Sequence, residues 1–154
     1  MMKSLGHALV IVLAVATLAW AADTPEPARA PEDRDLADAR ARIAAKDWRG
    51  AADLLQKAVA RTPDSADVHN LLAYSIRHTA SPNMDVVFKH YQEALRLDPK
   101  HRGAHEYIGE AYLMVGNLAK AKEHLAALDK LCFFSCEEYR DLKQAIQRFE
   151  SQKK

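Results

Sequence analysis

Two stretches of this chain end alike, and that repetition constrains the fold more than any other feature. Gln56-Lys57-Ala58-Val59-Ala60-Arg61-Thr62-Pro63 parallels Gln92-Glu93-Ala94-Leu95-Arg96-Leu97-Asp98-Pro99, with Ala58 and Ala94 each five residues before a proline. A third pass begins at Arg102 and runs through Tyr107-Ile108-Gly109-Glu110-Ala111-Tyr112 and Gly116-Asn117-Leu118-Ala119-Lys120-Ala121. Self-similarity at a spacing of about 35 residues marks stacked units, none of which can bury its apolar face alone. No alternation of apolar and polar residues lasts long enough for a strand, so the units are expected to be helical. Abundant alanine favours helix and close helix packing.

These residues resemble the tetratricopeptide repeat family, whose 34-residue pattern is W-x2-L-G-x2-Y, then A-x3-F, A and P. The third repeat matches through Ile108, Gly109, Tyr112, Gly116, Ala121 and Leu125. The second contributes Leu72, Ala73, Ile76, Tyr91, Ala94 and Pro99, and the first Ala39, Trp48, Ala51, Leu55, Ala58 and Pro63. The resemblance covers roughly residues 33–135. It implies an all-α fold: a right-handed superhelical stack of three helical hairpins, at about 32–65, 66–101 and 102–135, within a domain spanning 33–154.

Small residues at Ala51, Ala73, Gly109 and Ala121 are expected to let the helices of each hairpin approach closely, beside Leu55, Tyr91 and Leu125. Pro63 and Pro99 stop the second helices, because proline cannot continue the hydrogen-bond ladder. Leu72 and Ile108 stand 36 residues apart, two more than the family period. That excess predicts a longer turn near Ser81-Pro82-Asn83, with Asn83 capping the next helix. The third repeat carries Phe133 in place of the family proline. A further helix over about 136–151, with Tyr139, Leu142, Ile146 and Phe149 on one stripe, is expected to close the last apolar edge. Ser135 and Glu138 stand at capping-box spacing at its start.

The first 21 residues read as a cleavable export signal, with Lys3 before an apolar run from Ala8 to Trp20 and small residues at Ala19 and Ala21. The run is shorter than the roughly 20 residues of a membrane span. An uncleaved anchor stays open as the alternative. Residues 22–32 carry three prolines and no large apolar group, which predicts a disordered linker. Export to the bacterial-type periplasm or the secreted space follows as an expectation, with no membrane span after cleavage. The formal net charge of +1, lost with Lys3, points to no nucleic-acid partner.

In an oxidising compartment Cys132 and Cys136 are permitted to pair, pinning the end of one helix to the start of the next. Two other readings stay open: a redox or metal-binding thiol pair, and two buried unpaired thiols. Phe133 and Phe134 between them read as core. The mature histidines do not form a metal site. His69 and His105, like His90 and His124, fall at equivalent repeat positions, and His101 and His105, though four apart, have no evident third ligand. No metal or other cofactor is expected. There is no G-x-S-x-G, Walker loop, H-E-x-x-H or Rossmann glycine set, so the chain is not expected to be an enzyme.

In the family that the chain resembles, the first helices of the hairpins line a concave groove that receives peptides. The matching positions are Asp33, Leu36, Arg40 and Ile43; Asn70, Tyr74, Arg77 and His78; and Glu106, Glu110, Leu113 and Met114. Peptide-binding residues are accordingly expected among Arg40, Asn70, Tyr74, Arg77, His78, Glu106, Glu110, Leu113 and Met114. Some family members clamp a peptide carboxylate with Lys, Asn and Arg side chains. Glu106 and Glu110 put acid where such a clamp needs base, so none is expected here. The leading function is a protein-interaction module or scaffold with a protein or peptide partner. The alternatives are thiol redox or metal handling through Cys132 and Cys136, and a structural or oligomer-forming part.

Overall fold

A computed structural model describes residues 31–152, of which 31–33 are described in backbone only. The expected signal segment and residues 22–30 of the expected linker lie outside the described residues. Seven helices follow one another: α1 (Pro31–Ala44), α2 (Trp48–Arg61), α3 (Ala66–Arg77), α4 (Met84–Leu97), α5 (Arg102–Met114), α6 (Leu118–Leu131) and α7 (Glu137–Ser151). Helix α1 thus takes in Pro31 and Glu32, the last two residues of that stretch; proline suits a first helical turn, whose N–H has no intrahelical partner. Among the described residues there is no strand.

Five helix starts share one arrangement. Asp47, Ser65, Asn83, His101 and Asn117 each accept, through the side chain, the backbone N–H three residues on. This satisfies one of the donors that a helix leaves open at its beginning. Helices α2 and α4 end at Arg61 and Leu97, two residues before Pro63 and Pro99. The α1–α2 and α5–α6 turns occupy residues 45–47 and 115–117, whereas the α3–α4 turn runs from 78 to 83. That is where the two extra residues of the second repeat reside. In the α5–α6 turn Gly116 takes φ +78°, a left-handed conformation that costs glycine little. Lys46 holds the equivalent place in the α1–α2 turn at φ 58°.

Successive odd-numbered helices touch: α1 with α3, α3 with α5, and α5 with α7. Helices α2, α4 and α6 touch only their odd-numbered neighbours. The odd helices therefore form the inner layer of a curved all-α repeat stack. Three buried clusters follow one another along it. Leu36, Ala51, Leu55, Val68 and Leu72 fill the first; Ala73, Val87, Tyr91, Ile108 and Ala111 the second; Leu113, Ala121, Leu128, Leu142 and Ile146 the third. Helix α7 closes the third cluster with Leu142 and Ile146, and Tyr139 and Phe149 pack beside them.

Three local expectations are corrected. Gly109 makes room for α7 rather than for its own hairpin partner, since a methyl group there would sit 2.6 Å from Leu142 Cδ2. Phe133 and Phe134 are 93% and 88% exposed, not core. The Cα atoms of Cys132 and Cys136 are only 5.5 Å apart, so the chain between them bulges outward. The Ser135–Glu138 capping box does not form. Ser135 takes φ 37° before the helix, and the N-cap is Cys136, which makes no side-chain cap bond.

Candidate peptide-binding face

The inner layer sorts the expected groove residues by depth. Leu36 and Leu113 are buried in the first and third clusters, and Ile43 packs against the first. Arg40 is exposed and donates to Asp67 Oδ2 at 3.2 Å. The other oxygen of Asp67 accepts from His101 Nε2 at 3.0 Å, while His101 Nδ1 caps α5. Asp67 thus ties α1 to the start of α5, and the His101 bond above all holds its carboxyl below the ordinary range. Asn70 is buried, and its Oδ1 has no hydrogen-bond partner among the described residues.

Arg77 is the centre of the face. It is 7% exposed and donates from Nη2 to Glu110 Oε2 at 2.7 Å, bridging α3 and α5. Its guanidinium carbon lies 5.4 Å from the Tyr74 ring centre and 5.9 Å from that of Tyr107, and Met114 Sδ is 3.8 Å from Nη1. Met114 itself is exposed. The buried Tyr91 hydroxyl lies beside the guanidinium, and burial pushes its pKa up.

From this centre runs a row of rings. Tyr107 and Tyr74 lie 4.6 Å apart, Tyr74 and His78 4.2 Å, and His78 and Trp48 4.7 Å. His78 donates from Nδ1 to the Tyr74 carbonyl at 2.8 Å, and burial lowers its pKa. Trp48 and His78 also line an open cleft of about 570 Å³ with Lys46, Arg49 and the 79–81 turn. Trp48 and Tyr107 were not among the expected contact residues. Trp48 matches a family position in the second helix of its hairpin, and only the stacking of α2 on α3 brings it to this row.

At the other end, Glu106 is 8% exposed. It lines a cleft of about 220 Å³ between α5 and α7 with Gly103, Tyr107, Glu137, Glu138 and Asp141. Burial first, then the charges of Glu110, Asp141 and Glu138, push its carboxyl up to about 8.

The histidines pair within repeats. His69 donates from Nε2 to the Pro63 carbonyl at 2.9 Å, which leaves its Nδ1 to accept from His90 Nδ1. His105 does the same with the Pro99 carbonyl and His124. Repeat equivalence was visible in the sequence; the contact between the two positions was not. Among the described residues no three His, Cys, Asp or Glu side chains are grouped to hold a metal ion, and no helix is long and apolar enough to cross a membrane.

No protein-family model matches the sequence, and no curated protein matches it. Solved structures do match it in shape. The TPR2B domain of yeast Sti1, solved in complex with pHsp70, gives a TM-score of 0.69 at 17% identity, over 79% of this chain and 97% of that one. The Sgt2 TPR domain from Aspergillus fumigatus gives 0.68 at 18% identity, over 80% of each chain. The Yersinia enterocolitica type III secretion chaperone SycD, in complex with a peptide of the translocator YopD, gives 0.64 at 14% identity, over 79% of this chain and 94% of that one. The likeness at these identities is one of fold, and the fold is that of tetratricopeptide-repeat domains.

Proposed function

We propose that this chain is a protein-interaction module that holds a peptide segment of a partner along its inner layer. The observation that carries this is the row Trp48–His78–Tyr74–Tyr107, which ends beside the carboxyl group of Glu106. Rigid rings give contact area at low entropic cost, and a polar group at one end fixes direction. Sti1 and SycD were solved with such partners, which supports the reading by analogy of fold alone. We place the module's action after export, on the strength of residues 1–21, and treat Cys132–Cys136 as a disulfide suited to that setting.

The test is a photo-crosslinking residue placed at Tyr74 on the inner layer and, separately, at the exposed Lys57 of α2. Irradiated in the cells that make the protein, position 74 should yield a discrete adduct and position 57 none. Equal yields at both positions, or none at 74, would remove the groove reading.

A further inference from the structure

Glu106 is 8% exposed as a residue, and its carboxyl group opens into a cleft; burial and neighbouring charges, and no hydrogen bond, set its surroundings among the described residues. It faces a cleft where three further carboxylates, Glu137, Glu138 and Asp141, converge from α7. Arg102 reaches only Glu138, at 3.5 Å and largely exposed. Ionising a carboxyl group in such a place without a partner is costly, and an added cation in the cleft would relieve that cost.

One turn further along α5 the same problem is solved. Glu110 receives the guanidinium of Arg77 at 2.7 Å, with the rings of Tyr74 and Tyr107 beside it. At Glu106 the carboxyl group and the Tyr107 ring are both present, and no cation pairs with it among the described residues. We infer that the α5–α7 cleft receives a lysine or arginine side chain of the bound peptide, with Glu106 as its counter-ion and Glu138 and Asp141 as flanking acceptors. This rests on the reading of the inner layer as a peptide groove and adds the chemistry of the occupant. A cleft of about 220 Å³ has room for an alkyl stem and its head group. The ring favours an organic cation over a bare ion, through cation–π attraction. The charges acting on Glu106 are Arg77 from α3, Glu110 from its own helix, and Glu138 and Asp141 from α7, with Glu137 lining the same cleft.

The experiment uses the full chain and two end-blocked peptide pools of roughly twelve residues, randomised alike except for fixed lysines in one and fixed glutamates in the other. Binding is read by fluorescence anisotropy. The lysine pool should bind about tenfold more tightly than the glutamate pool. Glu106→Gln, and separately Asp141→Asn, should each weaken the lysine pool by about three- to tenfold, while melting as cooperatively as the parent. The lysine pool should also gain affinity from about pH 6 to about pH 9, a gain that Glu106→Gln should abolish. If the glutamate pool binds as well, and Tyr74→Ala weakens it, the groove stands and the inference falls. Mn²⁺ binding that needs Glu106, with no preference for the lysine pool, overturns it too. If neither pool binds and position 74 captures nothing, both the groove and its basic occupant are lost.

Discussion

The Nδ1 atoms of His69 and His90 lie 2.9 Å apart between α3 and α4, and His105 and His124 repeat the contact at 3.0 Å between α5 and α6. Each pair ends on the carbonyl of the proline that closes the preceding repeat. A proton added at the accepting Nδ1 of His69 or His105 breaks the chain of bonds, whereas one added at Nε2 of His90 or His124 keeps the bond but places a charge in a buried site beside the partner ring. Burial first, then its partner histidine, lowers the pKa of His90, and the same two causes bring His124 down to about 4. Folded pKa values below the ordinary value of about 6.5 mean that the unfolded chain binds more protons in between. The stability from these pairs is complete above that value and is lost as pH falls below it, for His124 as pH approaches about 4. His124→Gln should therefore cost most near neutrality, about 1 kcal/mol by urea denaturation, with the deficit shrinking as the buffer is acidified. A deficit that does not change with pH would count against the pairing.

Glu106 runs the other way. Its folded pKa is raised to about 8 from an ordinary 4.5, mainly by burial. Here the folded chain binds the extra proton, so stability is full below the ordinary value and declines as pH rises towards about 8. Glu106→Gln, which is neutral and of the same shape, should match the parent near pH 5. Above about pH 8 it should be more stable by about 1–2 kcal/mol, a figure reduced for the solvent that reaches the cleft. Paired thermal melts at both pH values measure the difference.

Phe133 and Phe134 read as core from composition but stand in solvent. Replacing either by serine should change stability by less than about 0.5 kcal/mol, as at other exposed sites. Leu128→Ala, one turn before them and fully buried, should cost about 2–5 kcal/mol. Comparable losses from the two kinds of substitution would show that the turn is packed.

That contrast marks what the sequence could disclose. The helix start at Asn83, the stops before Pro63 and Pro99, and the long turn at 78–83 depend on local backbone chemistry, which residue types at fixed spacing express directly. The family resemblance also implied that Tyr74, Arg77 and Glu110 share one face. It could not give depth. Arg77 is buried because two tyrosines from different repeats meet over it, and Gly109 serves α7 because of where that helix docks. Trp48 reaches the ring row only through the stacking of α2 on α3. Each of these depends on contacts between units, for which a one-dimensional pattern carries little signal.

The cysteine turn offers a test of compartment and structure together. Cα atoms 5.5 Å apart lie within the range that a disulfide spans. Protein taken from its native compartment should resist alkylation until reduced, then gain two adducts in the mass spectrum. Reduction should lower stability by about 2 kcal/mol on the chain-entropy account of so short a loop. Adducts without reductant would return the pair to the free-thiol reading. Loss of the cellular phenotype in the double serine variant, with stability unchanged, would favour a redox role.

The Arg77–Glu110 pair carries the sharpest energetic prediction. Arg77 is nearly closed off from water, while the Glu110 side chain keeps 26% of its exposure. Removing the cation leaves a half-buried carboxylate facing Tyr74 and Tyr107, so Arg77→Met should cost about 2–4 kcal/mol. Glu110→Gln keeps a polar acceptor of the same shape and should cost less, about 1–2 kcal/mol. The double variant places a thioether beside a neutral amide and should recover part of the loss, giving a coupling of about 1–2 kcal/mol in a double-mutant cycle. Simple additivity would mean that the 2.7 Å contact contributes nothing net, and that Arg77 matters through its packing under the ring row. Trp48 fluorescence separates those cases, because loss of packing shifts its emission whereas loss of charge alone leaves the stack on His78 intact.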